Sequence, residues 1–280
     1  MGTLIWLSLV AAGLIGEMWA DEEDSNAAVE ALETWLKAKP SGRPKLGTEP
    51  FSDVPLTRMD ADRARELLWQ DHAKRIRESR SAEMKAKAIS LDGKTMKFES
   101  RIYGKEPAEG RALFISMHGG GGAPPEVNES QWKIQVRLGD AYRPKDTLNL
   151  APRAPTDTWN LWHQEHIDEF FDRLIENLVV LEKIDPNRVF LMGSSAGGDG
   201  TYQLAPRMAD RLAGACMMAG HPNETQPPGL RNLRFSIDVG EGDGGYKRNQ
   251  VARDWGEKLA KARADDPGGY VHRVNLRKGK

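Results

Sequence analysis

The feature that most constrains this chain is Phe190-Leu191-Met192-Gly193-Ser194-Ser195-Ala196-Gly197-Gly198, an apolar run that breaks off into small residues with a serine at their centre. Residues 189–192 fit a buried strand, and the sequence from Ala196 can start a helix. Ser195 therefore falls where a strand must reverse into a helix almost at once. Gly193 and Gly197 stand two residues to either side of it, where any side chain would collide as strand and helix close on each other. Such a strained turn lifts the serine Oγ clear of the sheet and makes it a nucleophile candidate. Gly-x-Ser-x-Gly also occurs in ordinary loops. Here the strand before it, the helix after it and a second glycine cluster upstream favour the nucleophile.

The second cluster is Leu113-Phe114-Ile115-Ser116-Met117-His118-Gly119-Gly120-Gly121-Gly122, again an apolar strand running into glycines. Glycines let backbone N–H groups come close to an oxygen on which negative charge develops, and donors fixed beforehand stabilise that charge without reorganising. The other reading is a flexible loop or a phosphate cradle. No Gly-Lys-Ser/Thr follows, which argues against a P-loop.

Together these two turns resemble those of the α/β-hydrolase superfamily, in particular its single-domain secreted esterases, similar to polyhydroxybutyrate depolymerases, feruloyl esterases and dienelactone hydrolases. The resemblance covers about residues 86–280. It implies a mostly parallel sheet with helices on both faces, and a serine that attacks carboxylic esters with no cofactor. It also implies an oxyanion hole made by the N–H of Ala196, which follows the nucleophile, and by the glycine loop, at Gly120 with Gly119 or Gly121 as neighbours.

In that superfamily an acid and then a histidine follow the serine along the chain. The run 235–239 leads into Gly240-Glu241-Gly242-Asp243, which places a carboxylate beyond a strand's C-terminal end, where the serine turn also lies. Asp243 is the expected acid, Glu241 the second candidate, and a solvated loop carboxylate the plain alternative. The histidine after Asp243 is His272, near the start of the expected strand 270–277. Five residues at about 3.3 Å each put it roughly 16 Å from the end where the site should lie. The resemblance implies a histidine on the loop after that strand, where Lys278-Gly279-Lys280 stands, so a C-terminally truncated hydrolase domain is expected. His118 reads as support for the glycine loop. His163 and His166, beside Trp159 and Trp162, read as a pocket wall, His221 as a pocket residue, and His72 as part of a helix. No metal-ligand spacing stands out.

Residues 4–15 are apolar and give way to Asp21-Glu22-Glu23-Asp24, which reads as a signal peptide cut after Ala20, although no Lys or Arg precedes it. Export to the periplasm or the medium is expected. About a dozen apolar residues are too few to cross a bilayer, so no membrane span is expected in the mature protein. The net charge of -1 gives no electrostatic case for nucleic acid or an anionic membrane surface.

Residues 21–85 read as a helical appendage. Ser25 caps a helix bearing Ala28, Val29, Leu32, Trp35 and Leu36; a linker over 37–55 carries four prolines; a second helix spans about 60–80. From residue 88 the period becomes two, and Asp92-Gly93 between two such runs predicts an antiparallel hairpin. Strands are expected at 113–117, 147–150, 215–219 and 233–239, and helices at 167–179 and 249–264; this alternation implies a parallel sheet. Cys216 reads as a buried small hydrophobe, and Asn128-Glu129-Ser130 and Asn223-Glu224-Thr225 match glycosylation sequons. The expected protein is a secreted serine hydrolase of small-molecule or polymeric esters. A peptidase of the same fold and an inactive binding module are the rivals.

Overall fold

The structure is a computed structural model that describes residues 20–142 and 144–279, so the apolar stretch read as a signal peptide lies outside the described residues. The chain divides into two compact units between Arg75 and Ile76.

The first unit holds helix α1 (Glu22–Lys37) and the greater part of α2 (Arg58–Ala86). The cap of α1 is Asp21, whose carboxylate accepts the N–H groups of Glu23 and Asp24, as an N-cap should. Ser25, expected there, instead sits within the helix, buried, donating to Asp60 Oδ2 at 2.6 Å and accepting from Thr57 N–H at 2.9 Å. Val29 and Leu32 pack with Ala64 in a small apolar cluster. The proline-rich stretch folds into short 3₁₀ turns and is held by Arg43. Its guanidinium bonds both oxygens of Asp71 at 2.8 and 2.7 Å, and its Nη2 and Nε donate to the Leu36 and Ala38 carbonyls at the end of α1. That fork holds the Asp71 carboxyl below its ordinary range.

The second unit is an eight-stranded sheet in the order β1-β2-β4-β3-β5-β6-β7-β8. It opens with the hairpin β1 (Ala88–Leu91) and β2 (Lys94–Tyr103), joined by Asp92 and Gly93 at φ 45° and 73°, the left-handed pair that a two-residue turn requires. Strand β3 (Arg111–Met117) is followed by α3 (Pro125–Tyr142), β4 (Thr147–Arg153), α4 (His166–Leu181) and β5 (Ile184–Ser194). Helix α5 (Ala196–Arg207), β6 (Gly214–Met218), β7 (Arg234–Gly240), α6 (Arg248–Asp265) and β8 (His272–Arg277) complete it. From β3 to β8 every pairing is parallel, while β2 meets β4 antiparallel.

Helices cover both faces. Gln135 of α3 donates to Ser116, whereas Gly200 of α5 packs against the Met117 side chain, and neighbouring residues of one strand point to opposite faces. The core between sheet and helices is rich in aromatic side chains, with Trp162, Phe170, Phe171 and Tyr202 almost fully buried.

Candidate active site

Because β3, β5 and β7 run parallel, the turns after Met117, Ser194 and Gly240 leave from the same edge of the sheet. The turn after β5 is the sharpest. Ser195 has φ 57° and ψ −123°, a conformation an L-residue adopts only under constraint, and its N–H is tied to the Met218 carbonyl at 3.0 Å. A Cβ added to Gly193 would lie 2.2 Å from the Gly197 carbonyl oxygen, and one added to Gly197 would lie 2.4 Å from that of Met117. The glycines at these spacings are therefore steric necessities of strand meeting helix.

The glycine loop is held from beneath by His118, which is fully buried. Its Nδ1–H donates to the Gly119 carbonyl at 2.5 Å, its Nε2 accepts the Ala154 N–H at 3.1 Å, and its own carbonyl accepts from Trp162 Nε1 at 3.0 Å. Burial pushes the His118 imidazole down to about 4, so it is neutral and structural. A Cβ on Gly119 would come within 3.3 Å of the Ser195 Cβ. Gly120 and Gly121 sit at φ 115° and 113°.

Asn128, at the start of α3, clamps this loop. It accepts the Gly121 N–H and donates to the Gly121 carbonyl, both at 3.0 Å, and donates to Asp157 at 2.8 Å. Two expectations are corrected by this residue. The Gly121 N–H, expected among the candidate oxyanion donors beside Gly119, Gly120 and Ala196, is already engaged by Asn128 and is not free to donate to a ligand. Asn128 itself is fully buried, so the first sequon is no glycan acceptor in the folded chain. The Gly120 N–H meets no partner among the described residues, and Ala196, as the first residue of α5, has no partner for its N–H within the helix.

Ser195, Ala196, Gly120 and Gly121 share one open cleft of about 770 Å³, of a size that suits a small organic ligand. Asp199 and His221 also line it. Burial is the main reason the Asp199 carboxyl is raised above its usual range, against a hydrogen bond from the His221 N–H at 2.6 Å. Asp243 begins the loop that carries the cleft residues Tyr246, Lys247 and Arg248. Its side chain keeps 23% exposure, 3.7 Å from Arg248 Nη1, whereas Glu241 keeps 47% and lies 3.5 Å from Arg253.

The histidines separate by their bonds. His221 Nδ1 accepts the Asn223 N–H at 3.0 Å, which puts the proton of the neutral ring on Nε2 and makes it a donor. His272 opens β8 beside Phe235, while Arg277 pairs with Gly240 at the active edge, so His272 stands at the far end of the sheet. His163 packs edge-on against Trp159, and His166 against Phe170. Ser195 Oγ makes no hydrogen bond among the described residues.

The sheet order, the crossover helices and the turn at Ser195 define an α/β-hydrolase fold, the fold of esterases of known structure. The structure resembles that of a thermostable esterase, with a TM-score of 0.52 at 19% identity over 69% of this chain and 53% of the other. It also resembles Thermogutta terrifontis esterase 2, with a TM-score of 0.50 at 13% identity over 69% and 84% of the two chains. In sequence it is 28% identical over 157 residues to "Putative esterase NocK" of Nocardia uniformis subsp. tsuyamanensis, a match covering 51% of this chain and 44% of that protein. The chain thus matches less than half the length of that relative. No protein-family profile matches the sequence.

Proposed function

We propose that this chain is a serine hydrolase that cleaves carboxylic esters through an acyl-enzyme. The observation that carries the reading is the meeting, in one cleft, of a serine on a strained strand-to-helix turn with the amides of Gly120 and Ala196. Ser195 Oγ forms a bond to the ester carbonyl carbon as its proton passes to a base, and the carbonyl oxygen takes up negative charge facing those amides. Collapse expels the alcohol, which takes the proton from the base. Water then repeats the sequence and releases the acid. Asp243 is proposed to orient the base, being the less exposed of the two loop carboxylates.

The base decides between this reading and an inactive binding module. Ser195 Oγ has no hydrogen-bonded base among the described residues; if none is supplied, turnover would rest on the oxyanion hole and binding alone, a residue of about 10³ to 10⁴ over water in such sites. 4-Nitrophenyl acetate should therefore be cleaved slowly at neutral pH, faster with added imidazole, and not above background in Ser195→Ala. A rate that ignores both imidazole and Ser195→Ala would support the binding module. Thermogutta terrifontis esterase 2, whose fold this chain resembles, has been described phosphoramylated by tabun, which accords with the proposal that this chain too forms a covalent adduct. Export is likewise proposed: a mature chain starting at Asp21 would keep the cap of α1 intact, and N-terminal sequencing of protein secreted by the native host checks it.

A further inference from the structure

The loop after Asp243 is built as a ligand anchor. Tyr246 and Lys247 are consecutive non-glycine residues at φ 54° and 56°, a strained pair that persists only where the surroundings hold it. The strain presents an aromatic ring that is 80% exposed and a lysine ammonium at the cleft, and Trp159, 63% exposed, lines the same cleft. Arg248 follows them and lines it too. Its guanidinium rests over the Tyr246 ring, 5.1 Å from the centroid, and its side chain keeps only 19% exposure.

Arg248 is underused for so buried a cation. Its Nε is buried with no hydrogen-bond partner among the described residues, and its ion pair with Asp243 is long, at 3.7 Å. By contrast Arg43 places its two Nη atoms on Asp71 at 2.8 and 2.7 Å and Arg231 Nε meets Asp266 at 2.6 Å. Withdrawing a guanidinium from water without bonding its donors is unfavourable, and a planar fork of this kind matches a carboxylate with two parallel bonds. The competing anion in the cleft is Asp199, which already accepts the His221 N–H and whose burial disfavours its charged form.

We propose that the cleft selects aromatic esters carrying a carboxylate remote from the scissile bond, with Arg248 as the anchor for that carboxylate, Lys247 adding long-range attraction, and Trp159 and Tyr246 flanking the ring. This deepens the esterase reading and rests on it. A specificity residue of this kind should act on binding without a role at the reacting carbon.

The test separates binding from turnover. 4-Acetamidobenzoate has the shape of 4-carboxyphenyl acetate with an amide in place of the ester, and 4-acetamidobenzamide replaces its charge by a neutral group of the same size. Calorimetric titration of the 280-residue chain should show the benzoate binding about 10-fold tighter or more, the size of one charge-assisted bond pair. Arg248→Gln should reduce the preference to below about threefold, Arg248→Lys should retain part of it, and 0.5 M NaCl, a concentration chosen at about a 4 Å screening length, should weaken it. Ser195→Ala should leave it unchanged. Equal affinities, or a preference that survives Arg248→Gln, would overturn the proposal. Loss of Ser195-dependent ester turnover with the preference intact would instead remove the esterase reading and leave an anion-binding cleft.

Discussion

The turn 193–198 and the loop 243–248 both serve the cleft, but they are built from opposite materials. In the turn, backbone packs against backbone so closely that Gly193, Gly197 and Gly198 admit no Cβ, and what the turn offers a substrate is one hydroxyl and one amide. In the loop, Gly244 has open space around it, and what reaches the cleft is an aromatic ring and two cations. Stabilising a developing charge needs donors that do not move, whereas recognising a substituent needs side chains that can differ from one enzyme to another. On the proposed function, the first region carries the chemistry and the second the selectivity.

That contrast can be broken first by volume. Gly193→Ala forces a methyl group to 2.2 Å from the Gly197 carbonyl oxygen, and we expect a loss of about 3 kcal/mol or more by urea unfolding. Gly244→Ala, at an ordinary negative φ and in open space, should change stability by less than about 0.5 kcal/mol. Similar losses at both positions would erase the distinction.

Protonation gives the next effect, of about the same size. His118 is held at about 4 by burial while an unfolded imidazole titrates near 6.5, so below pH 6.5 the unfolded chain binds the extra proton and stability falls as pH drops from 6.5 towards 4. The full shift corresponds to about 3 kcal/mol. His118→Gln should remove that slope from the pH dependence of unfolding, whatever its effect at neutral pH; an unchanged slope would show that His118 does not titrate as its burial implies.

The glycine turns and the hairpin at Asp92-Gly93 were legible in the sequence because steric exclusion leaves glycine as the residue that fits, and such positions announce themselves locally. Helix α3 was not foreseen. Its outward positions Val127, Ile134 and Leu138 are 41%, 38% and 40% exposed, while its inward ones include the polar Asn128 and Gln135, so the usual apolar stripe is inverted. The clamp that Asn128 places on Gly121 was hidden for the same reason, and the sequon around it pointed outward where the fold points inward. Strand β4 runs beyond its expected end at Leu150 to Arg153, through Pro152, which faces Phe98 of the antiparallel neighbour. Strand β5 likewise reaches back through Asp185-Pro186-Asn187 to Ile184, beside the irregular register between Arg111 and Leu113 of β3. Arg248 gave no local signal, since the proposal for it rests on the bonds its side chain does not make among the described residues.

The smallest effects come from strain. Ser195→Gly relieves a backbone conformation that costs about 1 to 3 kcal/mol, so this variant should melt higher than Ser195→Ala, which keeps the Cβ. Lys247→Gly, at φ 56°, should gain about 1 kcal/mol if nothing else is lost. A Ser195→Gly variant no more stable than Ser195→Ala would show that the turn is unstrained.

The most direct measurement is covalent. A fluorophosphonate probe incubated with the 280-residue chain should add one equivalent by intact mass, slowly at neutral pH and faster with imidazole, and peptide mapping should place the adduct on Ser195. Ser195→Ala should abolish the adduct, while Arg248→Gln should still form it with an uncharged probe. An adduct on Ser194, or labelling that persists in Ser195→Ala, would contradict the assignment of Ser195 as the nucleophile.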